Sequence, residues 1–261
     1  MKIHFLTDDN PLYVLPFFEE FVKQYSDKFS IDGVSLCRPM GKRSRFALFR
    51  QLSALYGPVG MSIVLARFAR ARCFGILPRR RGAAQFAALS QLFKSYGIAY
   101  DHIGNPNDTS FRDSLASRPP DLLISVACPY ILKPALLSIP KLGCFNIHHA
   151  PLPKYKGMMP TFWQMYHGER SVGITIHAMV ERIDEGEILL QDELPIERDE
   201  SLDKLIRRSK VHAAHCLARV LRQLQMGQRN YISINKDKGS YFSFPTLADI
   251  AEFRRRGFRA I

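Results

Sequence analysis

The run Leu122-Leu123-Ile124-Ser125-Val126 constrains the fold of this chain more than any other. It is apolar almost throughout and does not alternate, as a strand must be when both of its faces are covered; such strands belong to parallel sheets with helices packed above and below. A further apolar run after Gly143 completes a β-α-β order, and its crossover is expected to wind right-handed. Upstream, Lys2 to Thr7 reads as a buried first strand, and Pro11 to Tyr25 as the helix behind it, with Leu12, Leu15, Phe18, Phe21 and Val22 roughly on one face. Ser30 to Leu36 and Ile98 to Ile103 supply two more strands. The expected class is α/β: a Rossmann-like, open, mostly parallel twisted sheet with helices on both faces. One large domain over residues 1–226 and a short C-terminal extension over residues 227–261, packed on it, account for the 261 residues.

The helices carry most of the charge pattern. Lys42 to Arg72 reads as two basic amphipathic helical stretches broken at Gly57-Pro58, with Phe46, Phe49, Leu52, Leu55, Ile63, Leu65 and Phe68 as the apolar set. The ordinary expectation is that this set packs on the core and the arginines face water. Ala83 to Tyr96 reads as another helix, and Ser201 to Gln225 as the strongest, its stripe formed by Leu202, Leu205, Ile206, Ala213, Leu217, Val220, Leu221 and Leu224. His212, His215 and Cys216 lie one turn apart on it; with no acidic partner nearby in sequence, no metal is expected. Tyr231 to Ile234 is a further candidate strand, and Lys238 to Phe244 an extended segment. Net charge is +13, concentrated at Lys42, Arg43, Arg45 and Arg50, at Arg67 to Arg81, and at Arg254 to Arg259. A field of this sign attracts anionic partners: a nucleotide-linked substrate, tRNA or an acidic membrane face. No uninterrupted apolar run reaches the ~20 residues that span a bilayer. The opening MKIHFLTDDN turns acidic too early for a signal peptide. Five scattered cysteines (Cys37, Cys73, Cys128, Cys144 and Cys216) suit reduced thiols, so a cytoplasmic location is expected.

The residues with chemical potential crowd into Gly143 to Leu190. A short strand, Cys144 to Ile147, delivers Asn146, His148 and His149 to its end. Pro151, Pro153, Gly157 and Pro160 then enforce a rigid irregular loop from Ala150 to Pro160. Loops fixed in this way carry function more often than cores do. After a short helix over Thr161 to His167, Val172, Ile174 and Ile176 alternate with Gly173, Thr175 and His177 as in a half-buried strand. The turn Arg182-Ile183-Asp184-Glu185-Gly186 precedes another strand from Ile188. At the other end of the chain, Asp8-Asp9-Asn10-Pro11 is a strand-to-helix turn of the kind that lines a ligand crevice, but it has no glycine with which to cradle a phosphate. Asp8 and Asn10 are candidates for acceptor binding there; the alternative is an Asx turn capping the helix.

Asn146-x-His148, the loop HHAPLPKYKG, and Asp184-x-Gly186 thirty-six residues after the histidine resemble the active site of the folate-dependent formyltransferases. That family includes methionyl-tRNA formyltransferase, glycinamide ribonucleotide transformylase and the sugar N-formyltransferases. The resemblance runs from about Asp121 to Leu190; Ala150-Pro151-Leu152-Pro153 replaces the usual Ser-Leu-Leu-Pro, and His149 stands where a small residue or proline is commoner. It implies the formyltransferase fold, Asn146, His148 and Asp184 as catalytic residues, and N10-formyltetrahydrofolate as formyl donor. It further implies Pro129, Tyr130, Ile131 and Leu132, with Met179 and Val180, as the folate wall, and Lys154 beside Asp8 and Asn10 on the acceptor side. In such a set Asp184 would raise the imidazole's pKa and relay protons. His149 and His177 match no family position. The turn without glycine argues against a glycinamide ribonucleotide, and the chain's length against the C-terminal barrel that holds tRNA. The expected acceptor is a small-molecule amine, a nucleotide-linked 4-amino sugar. A homodimer and peripheral membrane contact through the basic helices stay open as arrangements, and nucleic acid is not the expected partner. Three competing readings are a methionyl-tRNA formyltransferase-like enzyme, a formyltetrahydrofolate hydrolase, whose relatives carry an extra N-terminal domain, and a non-catalytic module that binds RNA or membrane.

Overall fold

A computed structural model of the chain describes residues 1–38, 45–232 and 238–261. In chain order the elements are β1 (Lys2–Asp8), α1 (Leu15–Tyr25), β2 (Ser30–Cys37), α2 (Arg45–Phe74), α3 (Leu89–Tyr96), β3 (Tyr100–Ile103), α4 (Thr109–Ser117), β4 (Leu122–Val126), α5 (Pro134–Leu137), β5 (Cys144–His148), β6 (Lys156–Gly157), α6 (Pro160–Tyr166), β7 (Ser171–Ala178), β8 (Ile188–Pro195), α7 (Leu202–Gln225), β9 (Tyr241–Phe242) and α8 (Leu247–Arg255).

Seven strands form one sheet in the order β3-β2-β1-β4-β5-β7-β8. The first five run parallel, and β7 and β8 are added antiparallel. The chain starts in the middle at β1, builds outward to β3 and returns to β4, so β1 and β4 flank the switch point where open α/β sheets bind ligands. β4 is buried at every position, as its composition requires. Period-two geometry sends Leu122, Ile124 and Val126 into a core shared with α1, α3 and α7 on one face, and Leu123 into a smaller core with Leu115 of α4 and Leu136 of α5 on the other. The main core is aromatic-rich: Phe5 meets Phe17, Phe18 and Phe21 edge-on, at centroid separations of 5.3–6.4 Å.

A third core joins the rigid loop to the end of the chain, with Ala150, Tyr155 and Phe162 against Leu55, Ile250 and Phe253. Phe162 and Phe253 stack at 4.7 Å, and β9 pairs with β6 in a two-stranded ribbon. Residues after α7 therefore lie against the loop that follows β5.

Several sequence-based boundaries shift. α1 begins at Leu15 because the Asn10 side chain organises Pro11 to Val14 into a turn. α3 starts at Leu89 instead of Ala83, where Phe86, Ala87 and Gln91 tie an irregular segment down. Ile232 makes an isolated bridge with Ile188, and the rest of the expected strand to Ile234 lies partly outside the described residues, as do Lys42 and Arg43. The largest departure is α2. It breaks at Gly57, whose φ of 68° precedes Pro58, where a break was expected. Its apolar set does not pack inward as expected: Leu55 is buried and Leu52 and Ile63 are half-buried, but Phe46, Phe49, Leu65 and Phe68 are exposed. The face turned to the protein holds Gly60, Val64, Arg67, Ala71 and Gly75, small residues and one arginine paired to Asp203.

Candidate active site

Alternation along β5 decides which residues meet. Phe145 and Ile147 enter the main core, so Asn146 and His148 face the other way, at the carboxyl end of the sheet. β7 pairs antiparallel with β5 and places His177 opposite Asn146 and Thr175 opposite His148. His177 Nδ1 donates to the Ala178 carbonyl at 2.9 Å, which leaves Nε2 to accept from Asn146 Nδ2 at 3.2 Å. The amide of Asn146 is thereby oriented, with its second N–H still available.

Asp184 arrives from the turn after β7. Gly186 lets that turn lie flat on the strand end, since a Cβ there would stand 1.7 Å from the Ala178 carbonyl oxygen. The Asp184 carboxylate lies 3.6 Å from His148 Nδ1 and 3.5 Å from His177 Nε2, and it accepts from the Gly157 amide at 3.1 Å. Gly157 has a φ of +96°, and a Cβ there would meet the Phe242 carbonyl at 2.3 Å, so only glycine brings this amide close.

His148 Nε2 donates to the Tyr155 carbonyl at 2.9 Å. The loop that carries this carbonyl is held on all sides. Thr175 Oγ1 donates to the Ala150 carbonyl, Gln191 Nε2 to that of Leu152, and the Tyr155 amide to Ser240 Oγ. With Nε2 fixed as a donor, Nδ1 is the position whose protonation changes, and it faces Asp184. Burial lowers the pKa of His148 and outweighs the opposing pull of Asp184, so the net direction is downward, against the rise expected from the sequence. Burial works to raise Asp184 as well, but His148 and the Gly157 amide, which donates to it, prevail and hold it down to about 2.

Beside this cluster lies a cleft of about 540 Å³, of a size common for small-ligand sites. Pro129, Tyr130, Ile131 and Leu132 line it together with Met179 and Val180, as do Asn146, His148 and Asp184. The mostly apolar wall and the room available suit a flat heterocycle such as a pterin. The acceptor-side candidates fare differently. Asp8 ends β1 and is pushed up to about 6, by burial first and by neighbouring Asp9. Asn10 spends its Oδ1 on the amides of Leu12 and Tyr13, which is the Asx-turn alternative. Lys154 is exposed and does not line the cleft.

Three residues passed over in the sequence stand in the site. His177 contacts both Asn146 and Asp184. His149 is buried in the cleft wall, and neither ring nitrogen has a hydrogen-bond partner among the described residues; burial and the nearby charge of Lys210 hold its pKa well below the usual value. Lys210 of α7 is itself buried at the cleft, its pKa lowered by burial to about 8 against the favourable pull of Asp8. A cation within the apolar stripe of α7 was the visible signal. Where the same helix packs on β8, Asp192 joins His212 and the buried Cys216, with ligand atoms within 4.8 Å of one another, so an acidic partner distant in sequence is supplied by the fold. Arg219 also pairs with this carboxylate.

The profile of the formyl transferase family matches residues 77–221, more than half of the sequence. The chain belongs to this family. It is 35% identical over 157 residues to the bifunctional polymyxin resistance protein ArnA of Wigglesworthia glossinidia brevipalpis, covering 60% of this chain and 24% of that protein. It is 40% identical over 121 residues to the methionyl-tRNA formyltransferase of Syntrophus aciditrophicus (strain SB), covering 46% of this chain and 39% of the relative. The matches thus span well under half the length of these relatives. Among solved structures, the N-formyltransferase from Helicobacter canadensis in complex with folinic acid and dTDP-3-aminofucose superposes with a TM-score of 0.58 at 15% identity, covering 100% of this chain and 84% of that one. That likeness establishes the fold, the mostly parallel α/β sheet expected from the sequence.

Proposed function

We propose that this chain transfers a formyl group from N10-formyltetrahydrofolate to a primary amine, with Asn146, His148 and Asp184 as the catalytic residues. One observation carries the reading: an amide, an imidazole and a carboxylate from two chain segments converge at an apolar cleft wide enough for a pterin. When bound, the folate supplies an activated formyl amide, and Pro129 to Leu132 with Met179 and Val180 hold its ring system.

The remaining work falls to the protein's own groups. The free N–H of Asn146 donates to the formyl oxygen as negative charge grows on it, and the hydrogen bond to His177 keeps the amide turned that way. The acceptor nitrogen forms its bond to the formyl carbon with its lone pair, and the bond from that carbon to N10 breaks with the electron pair going to N10. One proton must pass from the incoming nitrogen to the departing one. His148 can take and return that proton at Nδ1, since Nε2 is tied to Tyr155 and the ionised Asp184 stabilises the charged ring. The low pKa that burial gives His148 keeps the ring mostly neutral, and so able to accept, at neutral pH.

The acceptor we favour is the amino group of a nucleotide-linked amino sugar. The turn after β1 lacks a phosphate-cradling glycine, and sugar N-formyltransferases superpose over nearly the whole chain. Methionyl-tRNA is the second reading, favoured by identities up to 40% to enzymes of that name. Incubating the purified protein with N10-formyltetrahydrofolate and following release of tetrahydrofolate tests both. Turnover dependent on an amino-sugar nucleotide supports the first acceptor, turnover with methionyl-tRNA the second, and equal turnover in water alone refutes transfer in favour of hydrolysis.

A further inference from the structure

We propose that α2 is a membrane-docking surface that lies flat on an anionic bilayer. The first observation is that α2 is built inside out. Beyond Leu55, its packed strip is Gly60, Val64, Arg67 and Ala71, continued by Gly75 just past its end, while Phe46, Phe49, Val59, Leu65 and Phe68 are exposed, Phe46 at 73% and Val59 at 72%. Ile76, just past the helix, is 79% exposed. Isolated apolar side chains on a surface need no explanation, but a helix that buries its small residues and presents its large ones is arranged for an apolar partner.

Charge selects the partner. Between Asp32 and Asp101 the chain has no acidic residue and twelve lysines and arginines, nearly the whole net charge of the protein. Asp203 pairs with Arg67 and Asp27 with Arg81, both from outside the stretch. Arg50, Arg70, Arg72, Arg79 and Arg80 are exposed beside the apolar side chains. A second copy of this surface would set like charge against like. Nucleic acid would meet the arginines but leave the phenylalanines and leucines in water. An anionic lipid surface satisfies both, with acyl chains for the apolar residues and headgroup phosphates for the guanidinium groups.

The arrangement also excludes a membrane span. By length and composition α2 is apolar enough to cross a bilayer over Phe46–Phe74. It is nevertheless broken at Gly57 and held down along its inner strip: Gly60 lies against Ile261, Arg67 is ion-paired to Asp203, and a Cβ on Gly75 would stand 2.6 Å from that of Ala88. A helix broken in its middle and tied to its own domain from Leu55 to its last turn can rest on a bilayer but cannot insert across one. Leu55 of its first half shares a core with Ala150 and Tyr155 of the loop after β5, so docking would act close to the cleft.

Flotation of the purified protein with vesicles of phosphatidylcholine alone, or mixed with phosphatidylglycerol, tests this. Binding to the anionic vesicles should exceed binding to the neutral ones at least about tenfold and fall on raising the salt. The doubly substituted Leu65→Ser/Phe68→Ser protein should lose about tenfold of that binding with an unchanged melting temperature, because neither side chain is in the core. Equal binding to both vesicle types, or full binding by the double variant, overturns the proposal. So does failure to float in either case. In that last event, a dimer in sedimentation that the double variant abolishes would assign the face to a second copy, and tRNA binding indifferent to the serines would assign it to RNA.

Discussion

Replacing Lys210 with methionine should make this protein more stable. A lysine ammonium is stable in water to about pH 10.4. Here burial holds the group down to about 8, so the folded state resists the charge that the unfolded state accepts freely. The sign follows from linkage: between the two values the unfolded chain binds more protons, and stability rises as pH rises through that window. At pH 7 the full penalty is in force, and a shift of roughly 2.5 pH units corresponds to about 3 kcal/mol. Methionine keeps the length and packing of the stem while removing the charge. The variant should therefore gain about 3 kcal/mol at pH 7, or roughly 6–10 °C in melting temperature for a chain of this size. By pH 9.5 the gain should shrink to about half of that, because wild type sheds its proton on folding. Urea unfolding of both proteins at the two pH values reads the difference directly. A destabilised variant, or a gain that does not change with pH, would refute the argument that an unfavourable charge is held in the cleft. Its place at the cleft adds a second expectation, that the stabilised variant transfers formyl groups more slowly, because Asp8 loses its counter-charge and His149 its electrostatic restraint.

Asp184→Asn should lower stability by about 2 kcal/mol at pH 6, since the carboxyl is held near 2 instead of 3.8, with about half the difference lost by pH 3 as the unfolded chain's carboxyl takes up the proton that the folded one still refuses; urea unfolding at both pH values checks it. Asn146→Ala and His148→Ala should each lower formyl transfer by roughly 10²–10⁴-fold while keeping a native circular dichroism spectrum, and near-native activity in His148→Ala would remove the mechanism. Gly186→Ala should cost about 3 kcal/mol or more in chemical unfolding, because the added methyl has no room against the Ala178 carbonyl. His149, buried neutral, should contribute to acid lability: stability is full above about pH 6.5 and falls below it as the unfolded ring takes up protons. His149→Phe should flatten that decline in a pH series of melting temperatures.

The sheet could be read from the sequence because its central strands are buried on both faces, and almost wholly apolar runs such as Leu122 to Val126 have few other uses. The site could be read in part for a similar reason. Asn146 and His148 share a strand face by periodicity, and Pro151 to Pro160 exclude regular structure. His177 was missed because its role depends on the register between β5 and β7, which no local pattern reveals. The contact of Asp192 with His212 escaped notice in the same way, since β8 and α7 meet only in three dimensions. Lys210 is different: it interrupts the stripe of α7 in plain view, but a lone cation among apolar residues does not say which cleft it enters. For α2 the composition was right and the orientation wrong. Its apolar residues are so evenly distributed around the helix that periodicity could not say which side would face the protein.

The ribbon of β6 and β9 has a bearing on when the cluster around His148 is completed. The carbonyl that orients His148 belongs to Tyr155, whose amide rests on Ser240, and Lys156 and Gly157 pair with Tyr241 and Phe242. On a ribosome the imidazole is made some ninety residues before its support, so a nascent chain halted after α7 holds Asn146, His148 and Asp184 and still lacks the brace that aims one of them. Variation at Ser240 itself would then tune the aim of His148 from outside the cleft, since Ser240 is not among the cleft's lining residues.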